Sequence, residues 1–251
     1  MNGNGVLKLA AVGDLHCGKG SRSDLRELFS RASAEADVLL LAGDLTNYGT
    51  PEEFETLARE LEGRGRTQTL AVLGNHDFET DQQDEGRKIL EQAGVTILDG
   101  EAIEIAGVGF AGVKGFVGGF GRRELTPWGE SSLKRLVQET VQEALKLEQA
   151  LSRLRTEQRV VLLHYAPIQA TIQGEPLEIA PFLGSSRLEE PIDRYRASVV
   201  FHGHAHHGSP EGRTKGMVPV YNVAMSLLRE TYPDQPPYRL YEVPTPPAVG
   251  A

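Results

Sequence analysis

The sequence predicts an α/β domain built in layers, with one mixed sheet or two packed sheets. Three observations predict it. Short apolar runs alternate with helical patterns as far as about residue 94, as in folds that cover a sheet with helices. Strand-rich stretches follow, from 95 to 113 and again from 198 to 243, and mixed sheets combine such segments. Polar clusters fall at the C-terminal ends of the apolar runs, where ligands gather in α/β sheets.

In chain order, Val6 to Val12 reads as a strand. Ser23-Asp24 is placed to cap a helix that turns Leu25, Leu28 and Phe29 inward. Val38 to Leu41 is the second strand. Thr50-Pro51-Glu52-Glu53 reads as a capping box with proline at the first helical position. Its helix carries Phe54, Leu57 and Leu61 inward and stops near Gly63. Thr69 to Leu73 is a strand, and a helix from about Asp84 to Ala93 ends at Gly94. Val95 to Leu98, Ala102 to Ile105 and Val108 to Val113 are strands joined by turns at Asp99-Gly100 and Ala106-Gly107. Lys114 to Gly121 is a glycine-rich loop. Ser131 to Leu154 is the longest helix, with Leu133, Val137, Val141, Ala144, Leu147, Leu151 and Leu154 in one stripe. Core packing explains that stripe first and an oligomer contact second. Val160 to Leu163, Ser198 to Phe201, Val218 to Val223 and Tyr238 to Val243 are further strands, with a helix across Leu188 to Tyr195. The expected organisation is a single domain over 1–251, a lid or insert at about 114–154, and a frayed proline-rich tail over 244–251.

With 35 acidic against 26 basic residues and a net charge of -9, the chain is a poor candidate for wrapping nucleic acid. A small phosphorylated substrate stays open, because bound cations invert the local field. One cysteine, Cys17, rules out an intramolecular disulfide framework. No run approaches the roughly 18 apolar residues of a membrane span. These features point to a cytoplasmic protein away from membranes, of open oligomeric state.

All seven histidines, His16, His76, His164, His202, His204, His206 and His207, lie in clusters at strand ends. Asp14, Asp44, Asn75 and Asp77 share those places. Imidazole, carboxylate and amide oxygen together suit Mn, Fe or Zn. The donors exceed the needs of one ion, which suggests two, the arrangement used in phosphoryl transfer.

Gly13-Asp14-Leu15-His16, Gly43-Asp44, Gly74-Asn75-His76-Asp77, His164 and Gly203-His204-Ala205-His206 together resemble, in order, the five motifs of the calcineurin-like metallophosphoesterase superfamily. The resemblance implies a four-layer fold, a β-sandwich of two mixed sheets flanked by helices. It implies Asp14, His16, Asp44 and His206 around a first metal ion and Asp44, Asn75, His164 and His204 around a second. A hydroxide between the ions would attack phosphorus in a small phosphodiester or phosphomonoester. His76 would assist the leaving oxygen, and Asp77 would orient His76.

Two other classes compete. A fold-retaining metal-binding or regulatory protein with little turnover would show a lost ligand or a lost His76, and neither is lost. A metal-dependent amidohydrolase usually carries its His-x-His early, whereas His204-x-His206 comes late. His202 and His207 fall outside the motifs and read first as structural residues or supports of the ligands, and second as substrate contacts. Cys17 reads as a small buried hydrophobe. Phe116, Phe120, Arg122, Arg123 and Trp128 read either as an ordinary surface loop or as a lid over substrate.

Overall fold

The computed structural model describes residues 5–20 and 24–246. The chain begins with β1 (Val6–Val12), α1 (Asp24–Glu35), β2 (Val38–Ala42), α2 (Pro51–Leu61), β3 (Gln68–Val72), α3 (Gln83–Gln92) and β4 (Val95–Ile97). It continues with β5 (Ala102–Ile105), β6 (Val108–Val113), α4 (Ser131–Arg153), β7 (Gln158–Leu163), α5 (Glu189–Arg194) and β8 (Val199–His202). It ends with β9 (Glu211–Arg213), β10 (Pro219–Asn222), α6 (Met225–Thr231) and β11 (Arg239–Pro244).

Two mixed sheets form. The first runs β11-β1-β2-β3-β4, parallel from β1 to β4, with β11 antiparallel on β1. The second runs β5-β6-β7-β8-β10-β9, parallel through its four central strands and antiparallel at both edges. The all-apolar run Val38–Ala42 is buried throughout, because strands buried on both faces cannot alternate with polar residues.

Alternation along each strand divides the core. Leu9 and Ala11 of β1, Leu40 of β2 and Leu70 and Val72 of β3 meet Phe110, Val160, Leu162 and Phe201 of the second sheet. The opposite faces of the first sheet, with Ala10, Leu39, Leu41 and Ala71, pack under Phe29, Phe54 and Leu61 of α1 and α2. Val113, Val161, Leu163 and Val200 pack under Leu147 and Leu151 of α4 and Ile192 of α5. The result is helices, sheet, sheet, helices, the expected sandwich.

Several local expectations need adjustment. Two polar residues join the buried face of α4. Thr140 donates from Oγ1 to the Val117 carbonyl at 2.7 Å, and Glu143 accepts from the Gly115 amide at 2.8 Å. The helix therefore clamps the glycine-rich loop while packing on its sheet. The capping box of α2 forms as expected, with Glu53 accepting from the amides of Thr50 at 3.4 Å and also of Tyr48 at 2.9 Å. The short β9 and α6 carry no clear periodicity in the sequence and add to the elements it predicts. At the tail, β11 holds Pro244 and the Thr245 amide bonds to the Gly5 carbonyl at 2.9 Å. The cap at Ser23 and tail residues 247–251 lie outside the described residues.

Candidate metal centre

The C-terminal ends of the parallel strands of both sheets converge. Asp14 follows β1, Asp44 follows β2, and Asn75 and His76 follow β3. His164 follows β7 directly, and His204 and His206 follow β8. Asp14, His16, Asp44 and His204 adopt φ of 56°, 46°, 46° and 69°. Left-handed backbone costs a non-glycine residue roughly 1–2 kcal/mol, and such strain gathers at functional sites. Two glycines make room. A side chain at Gly74 would overlap the amide nitrogen and carboxylate of Asp44, and one at Gly43, with φ of 81°, would overlap the His164 ring.

Among the described residues, three groups of donors close to within 4.8 Å: Asp14 with His16 and His206, His16 with Asp44 and His76, and Asp44 with His164 and His204. Asp44 belongs to two of them. Its Oδ1 accepts from the His76 amide at 2.9 Å and lies 3.3 Å from His164 Nε2. The Asp14 carboxylate accepts from the His204 amide at 3.0 Å and lies 2.9 Å from His206 Nε2.

The imidazoles are turned by backbone carbonyls. His164 Nδ1–H donates to the Ala42 carbonyl at 3.0 Å, so Nε2 presents a lone pair, with Asn75 Oδ1 at 2.9 Å and the Asp44 carboxylate beyond. A carbonyl only accepts, so this tautomer follows from geometry. His204 Nε2 bonds to the Phe182 carbonyl at 3.1 Å and His76 Nδ1 to the Asn47 carbonyl at 2.8 Å. His16 Nε2 is buried with no hydrogen-bond partner. At His164 a ring lone pair thus faces the Asn75 and Asp44 oxygens, an arrangement a cation satisfies.

Burial governs the charges. It holds the His164 ring well below the usual histidine range, lowers His204 to about 3, and lowers His16. These imidazoles stay neutral, as ligands must be. Burial also pushes Asp14 up to about 6, against its bond to His206, while that bond raises His206. A positive charge beside the desolvated Asp14 carboxylate would favour its ionised form, and a bound ion provides one. The donor set fits transition-metal ions.

Asp77 differs from expectation. Its carboxylate accepts from the amides of Leu45 at 3.1 Å, Thr46 at 2.9 Å and Gly74 at 2.8 Å, and from Thr46 Oγ1 at 2.6 Å. The Asn47 carbonyl, rather than Asp77, holds the His76 ring. Asp77 instead pins the segment that leads into Asn47.

Cys17 packs with Leu15 and Leu45 under the helices. The buried His202 donates from Nδ1 to the Gly203 carbonyl at 2.8 Å and accepts from Thr171 Oγ1 at 2.8 Å, and His207 is exposed. Phe120 is packed with Ile172, Leu183 and Ala205, Phe116 meets the Tyr165 ring at 6.0 Å, and Arg122, Arg123 and Trp128 are exposed. Sequence reasoning missed Tyr165, whose ring lies 4.4 Å from that of His204. It also missed Lys114, whose ammonium sits 4.6 Å over Phe116 and 5.4 Å over Phe78. Tyr165 directly follows the motif histidine His164, a signal available in the sequence. Lys114 carried none.

Fold and site together define a class: a two-sheet α/β sandwich whose strand ends assemble an Asp/His cluster able to hold metal. A family model of calcineurin-like phosphoesterases matches residues 7–208, and the chain belongs to that metal-dependent family. A phosphopantetheinyl hydrolase from Mycobacterium tuberculosis has a similar fold, with a TM-score of 0.68 at 16% identity over 97% of this chain and 98% of its own. The protein TT1561 of Thermus thermophilus has a TM-score of 0.56 at 14% identity over 95% of this chain and 99% of its own. A purple acid phosphatase from yellow lupin seeds has a TM-score of 0.52 at 12% identity over 80% of this chain and 38% of its own. No curated protein sequence matches the chain. Among the described residues, no helix is long and apolar enough to cross a membrane.

Proposed function

We propose that the protein is a two-metal phosphoesterase that hydrolyses small phosphodiesters or phosphomonoesters. The observation that carries this reading is Asp44, whose carboxylate groups with His16 on one side and with His164 and His204 on the other. Asp14, His16, Asp44 and His206 would hold one ion and Asp44, Asn75, His164 and His204 the other, as manganese, iron or zinc. Bound ions supply Lewis acidity to the phosphoryl oxygens and an acidified water at neutral pH.

The remaining work falls to the chain. His76 directs Nε2 toward the cluster, 4.0 Å from Asp44 Oδ2, while Nδ1–H is tied to Asn47. Protonated at Nε2, it gives that proton to the leaving oxygen as the ester bond breaks. Asp77 is a positioning residue, acting through Leu45, Thr46 and the Asn47 carbonyl.

Elemental analysis of manganese-loaded protein, paired with hydrolysis of p-nitrophenyl phosphate, bis(p-nitrophenyl) phosphate and p-nitroacetanilide, tests this. The expected result is two ions per chain and release of nitrophenolate from a phosphate ester. One ion or fewer sinks the two-metal mechanism, and turnover of the anilide alone moves the protein to the amidohydrolases.

A further inference from the structure

Beside the cluster lies a cavity of about 530 Å³, bounded by Asn75, His204 and His206 on the donor side. Its other wall is apolar: Val117, Tyr165, Ile179, Phe182 and Leu183. Ile179 and Phe182 belong to a 3-10 segment, Leu177–Phe182, inside the long connection between β7 and β8. Phe182 is 56% exposed and its neighbour Leu177 74% exposed. Large apolar side chains left open beside polar catalytic groups are a mark of ligand sites. The wall is fixed to the donors, since the Phe182 carbonyl takes the His204 Nε2 hydrogen bond at 3.1 Å. The charge of the lining is also one-sided. Among the described residues, Glu175 is its only carboxylate, accepting from the His207 amide at 2.7 Å, and no lysine or arginine lines it. A second phosphate or a carboxylate held at the apolar wall would meet Glu175 with no lysine or arginine of the lining to answer it.

Resting on the phosphoesterase reading, we infer that the substrate's organic group is uncharged and apolar and lies against Ile179 and Phe182 while its phosphate meets the Asp/His cluster. The wall then discriminates by length and hydrophobicity, and nucleotides bearing further phosphates are disfavoured.

Inhibition by a phosphonate series tests this whichever ester oxygen departs. Methyl-, butyl- and hexylphosphonate and 3-phosphonopropionate are titrated against p-nitrophenyl ester hydrolysis by the manganese-loaded protein, with thermal shift as a second readout. One buried methylene is worth up to about fourfold in affinity. Hexylphosphonate should therefore bind at least about tenfold more tightly than methylphosphonate, and 3-phosphonopropionate no more tightly than methylphosphonate. The methyl-to-hexyl ratio should shrink at least threefold in Ile179→Ser and in Phe182→Ser, and hold in Met217→Ser, a change at an exposed residue outside the cavity lining. A flat series with hydrolysis intact overturns the inference alone, as does a ratio indifferent to both wall variants, which would leave the exposed patch as a surface for a protein partner. No hydrolysis of any phosphate ester, with no thermal shift by methylphosphonate, removes the phosphoesterase reading and this inference with it.

Discussion

The two sheets contribute unlike chemistry to one site. The first supplies Asp14, Asp44, Asn75 and His76 within three residues or so of its strand ends, so its donors carry nearly all the negative charge. The second supplies His164, His204 and His206, imidazoles of which burial keeps two neutral. The loops differ as well. Those of the first sheet are short and strained, at Asp14 and Asp44. In the second sheet the connection after β7 is long and bears the apolar wall around Leu177–Phe182, while the turn after β8 is short and strained at His204. Each side also completes the other: Ala42 of β2 fixes the His164 tautomer, and the His204 amide bonds to Asp14. The contrast teaches that one sheet brings the carboxylates while the other brings imidazoles, two of them held neutral, and the apolar wall. The centre exists only where the sheets meet.

The largest expected effect breaks the joint itself. Asp44→Asn should lower the content of both ions and the rate together, by more than the about 10–100-fold typical of losing an outer-shell partner of a metal. Metal content and kcat measured on the same preparation check this, and loss of one ion alone would show that Asp44 serves one side only.

Next, His76→Asn should leave metal content near wild type while kcat falls about 10²–10⁴-fold, the range of general acid catalysis. The fall should be smaller for p-nitrophenyl esters than for alkyl esters, whose leaving oxygens need the proton more. Equal slowing of both would make His76 a phosphate-binding group.

Asp77→Asn tests the first sheet's loops without touching a donor. An amide replaces an acceptor that serves three backbone N–H groups and a hydroxyl, and a buried group left unpaired costs about 1–3 kcal/mol. Tm should fall by about 2–4 °C for each kcal/mol lost, and kcat should fall with it as Asn47 releases His76. An unchanged Tm would contradict the bonding described for Asp77.

The smallest effect belongs to the second sheet. Burial lowers His202 to about 4, against its bond to the Gly203 carbonyl, so the ring is neutral. Its folded pKa lies below the unfolded value, so its contribution to stability is complete above pH 6.5. That contribution is lost as pH falls from 6.5 toward 4, by at most about a tenfold change in the folding constant per pH unit. Urea titrations across that window should show this slope, and His202→Asn should flatten it.

Much of the centre was legible in the sequence because its donors sit at strand ends, and buried strands announce themselves as apolar runs. Seven histidines so placed, with Asp14, Asp44 and Asn75, marked the cluster before any fold was known. The glycines of the motifs were legible too, though the reasons for Gly43 and Gly74 are steric and three-dimensional. Periodicity likewise exposed the helices other than α6 and the strands other than β9. What tertiary structure alone decided was which backbone carbonyls turn the imidazoles. Ala42 reaches His164 across 122 residues, Asn47 reaches His76, and Phe182 reaches His204. Carbonyls are the same in every residue, so no pattern of side chains reveals them. The burial of Thr140 and Glu143 in α4 and the apolar wall at Ile179 and Phe182 were hidden for a related reason. Their meaning depends on what packs opposite them, and that is set by chain segments far away in sequence.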